Sequence, residues 1–179
     1  MIKFRLSLFF YVLLVGFIIA VRPAYAEDWQ YVTTQKDGTM LYYDADSIRL
    51  ADIDTQEKGF IVVIKEKLSD TAAKDAMKLI LSIQPHVNGF VSYEITPVQF
   101  TTNKQCRPLG IYYHSDDDSL LLKIPAPPIN KWNTLSIDNS LYNVYSVVLK
   151  HIAANIDYYT SQSWYSTNEK KFHEAPRNK

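Results

Sequence analysis

Seven apolar side chains near the C-terminus, Leu141, Val144, Tyr145, Val148, Leu149, Ile152 and Ile156, fall at i, i+3, i+4, i+7, i+8, i+11 and i+15. Residues spaced in this way line one stripe of an α-helix, and such a stripe is stable only when another element covers it. Asp138, Asn139 or Ser140 supplies a side-chain oxygen to cap the first turn. The rest of the chain must therefore provide an apolar surface for this helix.

That surface is a sheet. The chain has 13 tyrosines against 8 phenylalanines, and aromatic and β-branched residues favour a pleated, half-buried setting. WQYVTT (Trp29 to Thr34) alternates, Lys36-Asp37-Gly38 offers a turn with glycine where φ must be positive, and Met40 to Asp44 returns as the second arm of a hairpin. After a polar stretch from Ala51 to Gly59, FIVVIKEKL (Phe60 to Leu68) is the strongest strand signal. At Ser69-Asp70 the period changes: Ala72, Ala76, Leu79, Ile80 and Ile83 recur at helical spacing up to Pro85, with Ser69 or Asp70 as the cap. Phe90 to Thr102 reads as a strand in which Pro97, lacking an N–H, marks an edge or a bulge. Cys106 to His114 and Ser119 to Ile124 form a second hairpin around Ser115-Asp116-Asp117-Asp118. PAPPINKW (Pro125 to Trp132) is a connector too short to separate domains. The expected fold is α+β: an antiparallel sheet of about five to six strands, a C-terminal helix packed on one face, and a short crossover helix.

Residues 1–26 carry Lys3 and Arg5 ahead of an apolar run from Leu6 to Val21, then Ala24-Tyr25-Ala26. This is the pattern of a secretory signal peptide cleaved before Glu27. A retained anchor is the competing reading, since the run is near the lower length for spanning a bilayer. The mature chain, 27–179, is expected to be one exported domain, in the periplasm or at the cell surface, with no membrane span and a loosely ordered tail from about Ser161. No cysteine follows the apolar run to accept a lipid. Loss of Lys3, Arg5 and Arg22 leaves 16 basic against 19 acidic residues, a net charge of −3. A mildly acidic domain is poorly suited to nucleic acid, which demands a basic face. The single cysteine, Cys106, has no internal disulfide partner; it is either a buried small hydrophobe or a handle for an intermolecular bond.

The chemistry-bearing residues form no recognisable constellation. Asp44 and Asp46 in LYYDADSIRL lack the continuation of a calcium loop, and short Asp and Ser side chains commonly close local turns where a strand stops. Asp116 to Asp118 sit at a hairpin tip and point in different directions. His86, His114, His151 and His173 show no metal-ligand spacing. There is no G-x-S-x-G, no glycine-rich phosphate loop among only 5 glycines, and Cys106 in KQCRPLG does not open a helix that would activate it. No catalytic, cofactor or metal residue is assigned. The tyrosines are different: Tyr and Trp anchor protein interfaces at low entropy cost. Among the pairs Tyr42-Tyr43, Tyr112-Tyr113 and Tyr158-Tyr159, alternation should send one ring of each strand pair inward. Tyr43, Tyr113, Tyr158 and Trp164 are the candidate interaction surface.

Trp29 near the mature start, YYDADSI, FIVVIKEKL, QCRPLGIYYHSDD and WNTLSIDNSLYNVYSVVL together resemble the surface-adhesin protein E family of bacterial exported domains. Tyr42, Tyr43, Asp44, Ser47 and Ile48 match the family's Y-Y-D-x-x-S-I element. Trp132, Leu135 and Ser140 follow its W-x-x-I-x-P-x-S segment loosely, Ile137 and Asp138 displacing the spacing. The resemblance implies an antiparallel sheet with a C-terminal helix against it, and YYDADSI as a strand end and turn. The family's named adhesin is similar to a surface lipoprotein, whereas this chain has no lipidation cysteine. Members often carry a second cysteine near the last helix, where this chain has Tyr145, Val147 and Val148. The helical segment from Ser69 to Ile83 is longer than the pattern needs.

The expected function is a non-catalytic exported binding domain resembling a surface adhesin, its partner a host matrix or envelope protein. The alternative is a periplasmic small-ligand-binding protein or enzyme using a cleft between sheet and helix, into which His114, His151 or the Asp116 to Asp118 group would converge. A homodimer through edge-strand pairing or Cys106 is a third option.

Overall fold

The computed structural model describes residues 27–53, 58–127 and 131–161. The expected signal segment and the tail beyond Ser161, including Trp164, lie outside the described residues. β1 (Trp29–Thr34) and β2 (Met40–Asp44) form the first hairpin, with Gly38 at φ +91° in the turn. A 3-10 turn, Ala45–Ser47, leads to β3 (Arg49–Asp52). β4 (Lys58–Lys67) takes β2 along its C-terminal half and β3 along its N-terminal half. After helix α1 (Asp70–Ile83), β5 (Val91–Thr101) lies on the other side of β4. β6 (Gln105–Pro108) and β7 (Gly110–Ser115) pair with the two halves of β5; β8 (Leu120–Pro125) pairs with β7 and β9 (Asn133–Thr134) with β6. Helices α2 (Ser140–Ala154) and α3 (Ile156–Ser161) follow.

Among the described residues the single antiparallel sheet contains nine strands, more than the five to six expected. They fall in six rows, because β2 with β3, β6 with β7, and β8 with β9 each share one row. Each break has a local cause. Asp44 stops β2: its Oδ1 accepts from the Asp46 N–H at 3.0 Å and from Asp28 N–H at 3.2 Å. Ser47 Oγ donates to Asp44 O and accepts from Val63 N–H at 2.8 Å, which ties the turn to β4. The pair of aspartates is thus a strand stop. The stretch read as one strand from Cys106 to His114 is interrupted at Leu109, whose N–H donates to Pro97 O at 2.8 Å. In an antiparallel strand a residue's N–H and C=O face the same neighbour. The donor that Pro97 lacks would therefore face the gap between β6 and β7, where its absence leaves no ladder bond unmade.

Both long helices lie where the sequence places them. Ser69 caps α1, accepting from Ala72 N–H, and Asn139 caps α2, accepting from Leu141 N–H at 2.9 Å. α1 joins neighbouring antiparallel strands, so it is a long hairpin excursion rather than a crossover to a distant strand. The C-terminal stripe stops short of Ile156. Asn155 ends α2, its Nδ2 donating to His151 O, and Ile156 begins α3 at 47% exposure while Tyr159 turns inward.

Register decides which side chains share a face. Leu41, Tyr43, Phe60, Val62, Ile64, Val98, Phe100 and Cys106 pack with Val144, Tyr145, Val148, Ile152 and Tyr159 in the larger core, under α2 and α3. Phe60 stacks on Phe100 at 5.1 Å and on Tyr145 at 5.9 Å. A smaller core joins Ile80 of α1 to Val91, Tyr113, Leu121 and Leu122. Tyr113 opposes Leu122 and Glu94, and Glu94 opposes Glu66, which opposes Leu41. Both cores therefore lie on one face, and among the described residues the opposite face of the sheet carries no helix. A bulge assists: the register shift between Tyr113 and His114 sends consecutive leucines, Leu121 and Leu122, inward together.

Candidate functional site

The two faces offer two different surfaces. On the open face, one cross-strand row runs Tyr31, Tyr42, Lys65, Ile95, Tyr112, Lys123. Rings and cations are interspersed along it and beside it. Lys65 Nζ lies 4.0 Å from the centroid of Tyr93 and 5.2 Å from that of Trp29, Lys123 Nζ sits 5.3 Å over Tyr112, and the Arg107 guanidinium sits 4.3 Å over Trp132. Such contacts hold a cation by the negative face of the ring and pin long side chains flat on the sheet. Tyr93 stacks on His114 at 5.0 Å with rings nearly parallel, and its hydroxyl donates to Asp118 Oδ1 at 2.6 Å. Burial, with that bond to Asp118 next, pushes the Tyr93 phenol well above its usual range.

The Asp116 to Asp118 tip closes its own hairpin. Asp117 Oδ1 accepts from Ser115 Oγ and from Ser119 N–H, which holds its carboxyl below the ordinary range. Asp118 adopts φ +65°, a left-handed conformation that aspartate tolerates. Among the described residues no three His, Cys, Asp or Glu side chains are grouped to hold a metal ion.

Of the four expected interaction residues, the strand tyrosines lie on the other side of the sheet from solvent. Tyr43 is 4% exposed: it opposes Ile64 on the helix-covered face, and its hydroxyl shares a 3.1 Å hydrogen bond with His151 Nδ1 on α2. Tyr113 is 7% exposed beneath α1 and hydrogen-bonds Glu94. Alternation does divide each pair, but it is Tyr42 and Tyr112 that face outward. Tyr158 is 59% exposed, edge-on to buried Tyr159 at 5.1 Å, and Trp164 lies outside the described residues. Trp29, Lys65 and Tyr93 were not marked by the sequence, although alternation from Tyr42 through a known register would have found Lys65.

The helix-covered face is not filled throughout. Between the cluster under α1 and the cluster under α2 lies a cavity of about 320 Å³. Ile64, Val98, Ile111 and Leu141 supply apolar wall, Asn133, Thr134 and Asn139 supply amide and hydroxyl groups, and Glu66 and Glu94 lie side by side on the sheet floor. Burial, then the neighbouring charge of Glu94 and that of Asp37, pushes the Glu66 carboxyl up to about 7, against the pull of a hydrogen bond from Gln35. Thr96 Oγ1 donates to Glu94 Oε1 at 2.8 Å. Burial, then Glu94, pushes the Tyr113 phenol up to about 12. Cys106, buried and unpaired with another cysteine, forms part of the wall, and burial pushes its thiol up. His114, His151 and the aspartates of the hairpin tip take no part in this cavity. No helix among the described residues is long and apolar enough to cross a membrane.

The class these features define is an α+β domain with an antiparallel sheet, one face covered by helices and the other without one among the described residues. Compared with known proteins, the chain matches no family model, no curated protein and no solved structure.

Proposed function

We propose that this chain is a non-catalytic exported interaction domain that engages a protein partner through its open sheet face. The carrying observation is the row Tyr31, Tyr42, Lys65, Ile95, Tyr112 and Lys123, which crosses the whole sheet on the side that carries no helix among the described residues. Aromatic rings held by neighbours, Tyr112 by Lys123 and Tyr31 edge-on to Tyr42 at 5.7 Å, give a surface that loses little side-chain entropy on docking. The resemblance of YYDADSI and the later segments to surface-adhesin protein E suits this reading. So does the signal-like start, which suits an envelope or matrix protein as the partner. The test is site-specific photocross-linking in the producing cell. A photoreactive residue at Tyr31 or Tyr112 should give discrete higher-mass adducts, and one at Lys74 on α1 should give none. Equal or absent adducts at the three positions would sink the reading.

A second reading, capture of a small ligand in the sheet–helix cavity, is favoured by Glu66 and Glu94 on its floor. The two readings use opposite faces and do not compete for the same residues.

A further inference from the structure

We propose that the cavity is a binding site for a small organic cation, an ammonium or guanidinium group on a short apolar body, held between Glu66 and Glu94. This inference rests on the second reading, ligand capture in the cavity.

The first support is geometric. Glu66 on β4 and Glu94 on β5 are direct cross-strand partners, so their side chains leave the same face at neighbouring positions. Like charges placed directly opposite each other destabilise a sheet, and burying a carboxylate adds to the cost. None of the lining side chains is basic, so that cost is relieved only by neutral hydrogen bonds and by the proton Glu66 retains, not by a counter-charge. The nearest cations in the sequence, Lys65 and Lys67, flank Glu66 on both sides, but alternation sends them to the opposite face, where Lys65 lies on Tyr93 and Trp29. Tyr113 and Thr96 hydrogen-bond Glu94 without supplying a charge.

The second support is the space itself. A volume of about 320 Å³ sits at the small end of the range for small-molecule sites. Its apolar wall suits an alkyl body, and the two carboxylates suit a group with several N–H donors and a positive charge. A metal ion fits less well, because two carboxylates alone are a short charged ligand set for calcium or magnesium, and among the described residues no three His, Cys, Asp or Glu side chains are grouped to hold one. A ligand cation would favour the ionised form of Glu66, so its binding releases a proton near neutral pH. The groups facing Glu66 in that equilibrium are Glu94 on β5, Asp37 in the β1–β2 turn and Tyr113 on β7, with Gln35 as a neutral donor.

The experiment uses four n-butyl probes matched in length: butylammonium, butylguanidinium, butanol and butyrate. Two readouts are taken on the purified protein at about pH 8, where Glu66 is ionised. One is the melting temperature. The other is the rate at which Cys106, in the cavity wall, reacts with a small thiol reagent. The expected result is that butylammonium or butylguanidinium raises the melting temperature and slows Cys106 labelling, and that Glu66→Gln or Glu94→Gln weakens the effect about tenfold or more. Protection of Cys106 by butanol or butyrate as strongly as by the cations would overturn the ligand class and leave the cavity as a binding site. No protection by any probe would overturn both the inference and the reading beneath it. Both glutamine variants are nearly isosteric with glutamate, and a far-UV spectrum unchanged from that of the parent protein separates loss of binding from loss of fold.

Discussion

A half-buried acid whose carboxyl is pushed up to about 7 makes Glu66 the residue most exposed to pH. The folded protein keeps this proton between about 4.5, the ordinary value, and about 7, while the unfolded chain has already released it. Stability from this group is therefore complete below the ordinary value and is lost as pH rises through the folded one. Melting temperature should fall between about pH 5 and pH 8, and Glu66→Gln should flatten that slope and stabilise the protein at the upper end by on the order of 2 to 3 kcal/mol. Parallel curves for parent and variant would show that Glu66 does not carry the dependence. A second residue-scale constraint is Gly59. A Cβ there would lie 1.9 Å from the carbonyl oxygen of Phe100, a backbone atom on the neighbouring strand. Gly59→Ala must spread β4 from β5, and should cost on the order of 3 kcal/mol or more by urea unfolding. Gly38→Ala, where only the positive φ is strained, should cost about 1 kcal/mol. Similar costs at the two glycines would refute the close-approach account.

At the scale of elements, the helices were legible and the faces of the strands were not. α1 and α2 begin at Ser69 and Asn139 because these side chains accept from the first free N–H groups, a signal that is local in sequence. The strand faces depend on register, which is non-local. FIVVI in β4 is apolar on both phases of the alternation, so the sequence does not say whether Glu66 or Lys65 shares the face of the core. The same ambiguity reversed the inward and outward members of Tyr42-Tyr43 and Tyr112-Tyr113. The cavity was hidden for a related reason: it is created by the juxtaposition of Glu66 with Glu94, 28 positions apart in the numbering, and the sequence prescribes no such pairing. The periodicity of α1 also conceals how little of it is buried. Ile80 is its one fully buried side chain, whereas Leu79, Leu81 and Ile83 are exposed. Ile80→Ala should therefore remove the helix's one fully buried anchor, beside which Ala73, Ala76 and Met77 make only partly buried contacts, costing about 2 to 5 kcal/mol. Leu81→Ala should cost under about 0.5 kcal/mol. Denaturant midpoints for the two variants check the contrast, and equal losses would mean that α1 is held in some other way.

For the whole molecule, the two cores are unequal, and that inequality sets the order in which the fold opens. The core under α2 gathers rings and aliphatic side chains from β2, β4, β5 and β6 together with both C-terminal helices. The core under α1 joins five buried side chains, and Ile80 alone among them comes from a helix. Free energy of local opening follows the apolar surface a unit buries, so the smaller unit should open first without loss of the larger. The cavity lies between the two and separates them further, since its polar floor replaces apolar contact where the cores would otherwise merge. In native-state hydrogen exchange, amides of α1 should exchange through a sub-global opening well below the global free energy. Those in the middle of α2 and along β4 and β5 should exchange only with global unfolding. A saturating cation in the cavity should slow exchange in β4 and β5 together, because Glu66 and Glu94 are cross-strand partners on these two strands. If α1 instead exchanges in step with β4 and β5, the two cores form one cooperative unit, and the cavity is an internal feature of a single core rather than the seam between two.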